Sequence, residues 1–198
     1  MTGPGPGAAG AGGGEGPPAI VAPVSALVLV GLPGVGKSSV GAGLARRLGW
    51  DFVDLDVEIE RREGRSIVRL FAEEGEGYFR ERERALTVEL AGRRRLVIAP
   101  GGGWAAQPGL MALLRPPATI IYLAASPEAV ARRLGAGEAT RPLLAGGDAG
   151  GTLDRLARLL ADRAAAYRAA DLVIDTELID VQGVIDMLQA VAHTPRGR

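Results

Sequence analysis

The chain has 198 residues with 23 basic and 23 acidic side chains, so its formal charge is zero and gives no electrostatic grip on nucleic acid or an anionic membrane. It contains no cysteine, which excludes disulfides and thiolate metal sites, and no apolar run approaches the roughly 20 residues that cross a bilayer. This length suits one enzyme domain, expected to be cytoplasmic and to act on small molecules.

Residues 1–24 are dominated by Gly, Pro and Ala, which cannot bury enough apolar surface to offset ordering entropy. They are expected to form a disordered tail, as are residues 194–198, around a domain spanning 25–193. Ala26 to Val30, rich in Val and Leu, predicts a strand buried on both faces of a parallel sheet. Gly31-Leu-Pro-Gly-Val-Gly-Lys-Ser38 follows at once and satisfies the phosphate-loop pattern, with helical spacing over 37–48. Its glycines let the backbone turn amide groups toward phosphate oxygens, and the helix N-terminus adds a positive dipole end. Gly34, Val35, Gly36, Lys37, Ser38 and Ser39 are therefore candidates to hold ATP, with Lys37 on the β and γ phosphates and the Ser38 hydroxyl on Mg²⁺. Lys37 is the single lysine of a chain that otherwise uses arginine, so it stands where a compact ammonium serves better than a planar guanidinium.

Phe52 to Leu55 predicts the next strand, and Asp54 and Asp56, at alternate positions, are expected to project together from the sheet's carboxyl edge, where ligands bind. Both could instead cap the helix that follows. Helical segments are expected over 57–63 and 66–91, the latter carrying Phe71 and Phe79-Arg-Glu-Arg-Glu83. A strand over Leu96 to Ala99 leads to the triplet Gly101 to Gly103, a helix over 108–114 and a strand over Thr119 to Leu123. Ser126-Pro127 caps a helix over 127–134. Residues 135–151, Gly-rich and carrying Arg141-Pro-Leu-Leu144, suit a mobile lid. Thr152 is expected to cap a helix over 152–169 that carries Arg163, before a strand over Leu172 to Ile174 and a helix over 178–192. Strands alternating with helices imply an α/β fold with a parallel sheet covered on both faces.

A phosphate loop alone does not separate a kinase from a switch or a motor. Guanine-specific switches read the base with Asn-Lys-x-Asp, which a chain without asparagine cannot contain. From about residue 27 to 176 the order and spacing of the motifs resembles the shikimate kinases, within the nucleoside-monophosphate-kinase-like P-loop proteins. The resemblance implies a three-layer α/β/α P-loop kinase fold, with a five-stranded parallel sheet in the order 2-3-1-4-5 and a mobile lid. It implies phosphorylation of the 3-hydroxyl of shikimate by ATP and Mg²⁺, on the route to chorismate and the aromatic amino acids. By the same likeness Asp54 assists Mg²⁺ through water, and Asp56 binds the hydroxyl that is phosphorylated. Arg80 and Arg163 grip the carboxylate, Glu83 steadies them, and Gly102 and Gly103 offer backbone amides. Arg141 meets the transferring phosphate, and Arg133, or its neighbour Arg132, packs on adenine.

The residue types make chemical sense of that assignment. A small polyhydroxylated carboxylate calls for planar, bidentate arginines, and phosphoryl transfer needs positioning and charge neutralisation more than covalent help. Lys37, Asp56 and Arg141 are the candidate catalytic residues, with Asp56 orienting the attacking hydroxyl or taking its proton. Arg82 and Arg84 read as a solvated face, Phe71 and Phe79 as core, and Tyr167 and His193 carry no functional signal. Two positions depart from the family: Trp104 follows the glycine triplet and is expected to alter the pocket wall, and Val181 or a neighbour stands where a proline usually lies near adenine. The rival readings are another small sugar-acid kinase, such as a gluconate kinase, and a catalytically silent nucleotide-binding module. A monomer is expected.

Overall fold

The computed structural model describes residues 24–135 and 151–193. Nearly all of the expected tail, the lid with Arg141, and residues 194–198 lie outside these described residues. Five strands form one parallel sheet: β1 (Ala26–Val30), β2 (Asp51–Asp54), β3 (Leu96–Ala99), β4 (Ala118–Ala124) and β5 (Leu172–Asp175), in the order β2-β3-β1-β4-β5. Burial follows this order: every residue of β1 and β3 is buried, β4 is buried except for partly exposed Tyr122 and Ala124, and β2 and β5 at the edges carry exposed residues. Val24, the last residue assigned by composition to the tail, is 5 % exposed and joins the core.

Among the described residues, seven helices complete the three-layer arrangement: α1 (Lys37–Leu48), α2 (Leu55–Glu63), α3 (Ile67–Leu90), α4 (Leu110–Leu114), α5 (Pro127–Leu134), α6 (Thr152–Arg168) and α7 (Val181–His193). A short 3₁₀ turn, Trp104–Ala106, follows the glycine triplet. Helix α1 packs on β2, β3 and α7, while α2 packs on α3 and α6 packs on α5 and the 3₁₀ turn. Each fully buried Leu, Ile or Val in these layers contributes about 1.5–3 kcal/mol of transfer free energy. Among the described residues no helix is long and apolar enough to cross a membrane.

Several local expectations are corrected. Strand β2 ends at Asp54, and helix α2 begins at Leu55, so Asp56 lies in the first helical turn rather than on the strand. The cause is capping: Asp54 Oδ1 accepts from the backbone N–H of Asp56 (3.1 Å) and Val57 (3.4 Å), satisfying two donors that the helix start would leave orphaned. Helix α3 is broken by Gly75, whose φ of 83° and ψ of 170° are open to glycine and bend the helix between Phe71 and Phe79. Thr152 is the first residue of α6 rather than its cap, which falls to Gly151 with no side-chain hydrogen bond. Ser126 does cap α5, its hydroxyl accepting from the Ala129 N–H at 3.2 Å.

Candidate active site

The loop between β1 and α1 turns on three glycines with positive φ: Gly31 (148°), Gly34 (87°) and Gly36 (106°). A Cβ on Gly31 would lie 2.6 Å from the Leu123 carbonyl oxygen, and one on Gly34 would lie 2.5 Å from Leu134, so both conformation and space demand glycine. Lys37 is buried at 8 % exposure, and its ammonium donates to the loop carbonyls of Gly31 (3.1 Å) and Leu32 (3.0 Å), inside the curve of the loop. The Ser38 hydroxyl donates to Asp54 Oδ2 at 2.5 Å. Asp54 thus caps α2 with one oxygen and meets Ser38 with the other, so the capping and functional readings of this residue coexist.

A cleft of ≈ 290 Å³ opens beside this loop, lined by Lys37, Ser38, Asp54 and Asp56 on one side and by Phe79, Arg80 and the glycine triplet on another. Phe71 also faces it, its ring 5.1 Å from that of Phe79, so these two aromatic residues serve as core and wall together. Arg80 is bound from two directions. Its Nη1 donates to Glu83 Oε2 at 2.5 Å, and its Nη2 and Nε donate to Glu76 Oε1 at 2.7 and 3.0 Å. Burial works against the Arg80 charge, but the Glu83 and Glu76 carboxylates outweigh it and hold the guanidinium above its ordinary pKa. Glu83 is fully buried and also accepts from Gln107 Nε2 at 2.8 Å. Burial pushes its carboxyl above the usual range, opposed first by Arg80.

The glycine triplet is the point on which four charged side chains converge. A Cβ on Gly101 would sit 2.8 Å from Asp56 Oδ1 and 3.0 Å from Glu83 Oε1; on Gly102, 3.0 Å from Pro33 and 3.1 Å from Arg163 Nη1; on Gly103, 2.7 Å from Arg80 Nη2. Three bare backbone positions therefore let Asp56, Glu83, Arg163 and Arg80 crowd around one strip of main chain, with Pro33 of the phosphate loop against it. Arg163 is 7 % exposed, and its Nη1 has no hydrogen-bond partner among the described residues. A buried guanidinium with an unused donor is costly unless an anion completes it.

The cleft thus sets Asp54, Asp56 and Arg80 beside the glycine-rich loop. The family model described as "Shikimate kinase" matches residues 33–192. A shikimate kinase of Paracidovorax citrulli is 46 % identical over 158 residues, covering 78 % of this chain and 84 % of that protein. The chain belongs to the shikimate kinase family. A solved shikimate kinase from Acinetobacter baumannii, in complex with shikimate, superposes with a TM-score of 0.77 at 35 % identity, covering 85 % of this chain and 93 % of that one. A gluconokinase from Sinorhizobium meliloti, at 18 % identity and a TM-score of 0.53 over 85 % of this chain and 91 % of its own, shares the fold alone.

Against this family background, the positions named from sequence fall as follows. Lys37, Ser38, Asp54, Asp56, Arg80, Gly102 and Gly103 line one cleft, whereas Arg163 does not line it and packs, buried, against Gly102. Gly34, Val35 and Gly36 form the loop, with Ser39 in the first turn of α1. Arg133 spans from the loop to the end of β5: Nη1 donates to the Thr176 hydroxyl at 2.9 Å and to the Val35 carbonyl at 3.5 Å, and Nη2 to the Thr176 carbonyl. Arg141 lies outside the described residues. The expectation for Trp104 is corrected: it is fully buried behind the triplet, its indole N–H donating to Thr87 Oγ1 at 2.8 Å, and it does not line the cleft. An indole with one satisfied donor gains more from burial in the core than from a wet wall. Gln107, Tyr167 and Thr176 were not visible as site residues from sequence. Only the four-residue spacing of Tyr167 from Arg163 was a usable signal.

The residues also fit Mg²⁺. Ser38 Oγ and Asp54 Oδ2 are adjacent hard oxygens at the cleft, and among the described residues no cluster of three acidic, His or Cys side chains forms a closed cage. That suits an ion held by one or two protein oxygens together with nucleotide phosphates and water.

Proposed function

We propose that the chain transfers the γ-phosphoryl group of ATP to the 3-hydroxyl of shikimate, giving shikimate 3-phosphate and ADP on the route to chorismate. The observation that carries this reading is the convergence of Asp56, Glu83, Arg163 and Arg80 on Gly101 to Gly103, next to the phosphate loop, in a member of the shikimate kinase family. The backbone amides from Gly34 to Ser39 cradle the phosphates, and Lys37 leaves its loop carbonyls for the β and γ oxygens. Mg²⁺, when bound, neutralises charge on those phosphates, with the Ser38 hydroxyl as ligand and Asp54 acting through water. Asp56 orients the attacking hydroxyl toward the phosphorus, while Arg80 and Arg163 fix the ring through its carboxylate. Arg141 closes on the transferring phosphate, and Arg133 lies against adenine. On this reading the enzyme is a cytoplasmic monomer with ATP and shikimate as its partners.

ADP release measured with shikimate and with gluconate as separate acceptors, followed by NMR of the product, tests the assignment. Shikimate-dependent turnover with phosphate on the 3-hydroxyl is expected. Preference for gluconate would overturn it.

A further inference from the structure

Arg163 and Tyr167 stand one helical turn apart on α6, on the same buried stripe as Leu156. Tyr167 is 1 % exposed, and its ring stacks on Tyr122 of β4 with centroids 4.7 Å apart and planes 11° apart. Its hydroxyl donates to the Gly102 carbonyl at 3.1 Å, and the Arg163 guanidinium, one turn earlier on α6, is close enough for its charge to act on the phenol. Burial pushes the phenol above its ordinary pKa, which keeps that O–H in place as a donor.

Two consequences meet at the cleft. Arg163 Nη1, buried and without a hydrogen-bond partner among the described residues, lies 3.1 Å from where a Cβ on Gly102 would stand, so one peptide faces both Tyr167 and the guanidinium. In a trans peptide the carbonyl and the following N–H point in opposite directions, so holding the Gly102 carbonyl toward Tyr167 turns the Gly103 N–H away from α6. Gly103 lines the cleft.

We propose that Tyr167 is a positioning residue for acceptor binding, its hydroxyl orienting the Gly102–Gly103 peptide beside Arg163. The inference rests on the shikimate assignment above. Tyr167→Phe keeps the ring, the stacking on Tyr122 and the packing volume, and deletes only the hydrogen-bonding oxygen. The expected result is an increase of about tenfold in KM for shikimate, the scale of one hydrogen bond to a charged group, with KM for ATP and the thermal midpoint near wild type. A folded Tyr167→Phe enzyme with unchanged KM for shikimate would overturn the proposal. So would a parallel rise in both KM values with a lowered thermal midpoint, the signature of general loosening. Wild-type enzyme in the same assay separates the two levels: turnover of shikimate by wild type with an unaltered variant sinks the role of Tyr167 alone, whereas no turnover by wild type sinks the acceptor assignment and this role with it.

Discussion

The phosphate end of the cleft is made by one unbroken stretch, Gly31 to Ser38, whereas the acceptor end draws Asp56 from α2, Arg80 and Glu83 from α3, the triplet from the loop after β3, and Arg163 from α6. The first works mainly through backbone conformation, forced by positive φ and the close approach of Leu123 and Leu134. The second works through side chains packed against bare backbone, and its charges are partly buried. The loop sits at the centre of the sheet and meets the start of α2 through the Ser38–Asp54 hydrogen bond. The acceptor end couples binding to stability, because Arg80 is at once a proposed ligand for the substrate and the counter-charge of the fully buried Glu83.

The strongest way to break that contrast is Lys37→Ala. It should lower kcat by about a thousandfold, the scale of losing a charged group aimed at the transition state, while shikimate binding measured by calorimetry stays near wild type. Arg80→Ala should raise KM for shikimate by about a hundredfold and leave KM for ATP unchanged. It should also cost about 1–3 kcal/mol of stability in denaturant unfolding, because Glu83 loses the partner at 2.5 Å. If Lys37→Ala proved the less stable of the two, the contrast drawn above would be wrong.

Gly103→Ala sharpens the same point at smaller scale. Gly103 has φ −87° and ψ −10°, a backbone that alanine adopts freely, so the added methyl probes only the 2.7 Å gap to Arg80 Nη2. The end of a flexible arginine yields easily, so the thermal midpoint should hold while KM for shikimate rises about tenfold through the displaced guanidinium. The smallest effect concerns pH. Because burial raises the folded pKa of Glu83, the native chain holds that proton more tightly than the unfolded chain. The linked stability is full below the ordinary value of 4.5 and is lost as pH rises through the folded value. Glu83→Gln removes this slope, so the wild-type midpoint minus the variant midpoint should shrink as pH rises from 4.5; a difference that widens instead would contradict the direction.

The same contrast governs what was readable from the chain. The phosphate loop, the five apolar strands and their alternation with helices depend on neighbours in sequence, and the structure follows them closely. The family order of motifs brought Asp56, Arg80, the triplet and Arg163 to one place without any measured contact. Features made by distant segments were hidden. Tyr167 reads as an ordinary core aromatic until Gly102 arrives from 65 positions away. Thr176 is unremarkable until Arg133 spans to it, and Trp104 looked like a pocket wall because nothing in sequence reveals Thr87 waiting behind it. At Asp54 and Asp56 the alternation of apolar and acidic residues fits a strand end as well as a capped helix start, and only the Asp54 cap decides between them.

On the proposed function, the paired arginines Arg80 and Arg163 recognise the acceptor through its carboxylate. Steady-state kcat/KM for shikimate against its methyl ester, which keeps the hydroxyls and removes the negative charge, tests this most directly. A fall of about a hundredfold or more is predicted, with KM for ATP unchanged. Equal kcat/KM for acid and ester would contradict the roles given to Arg80 and Arg163.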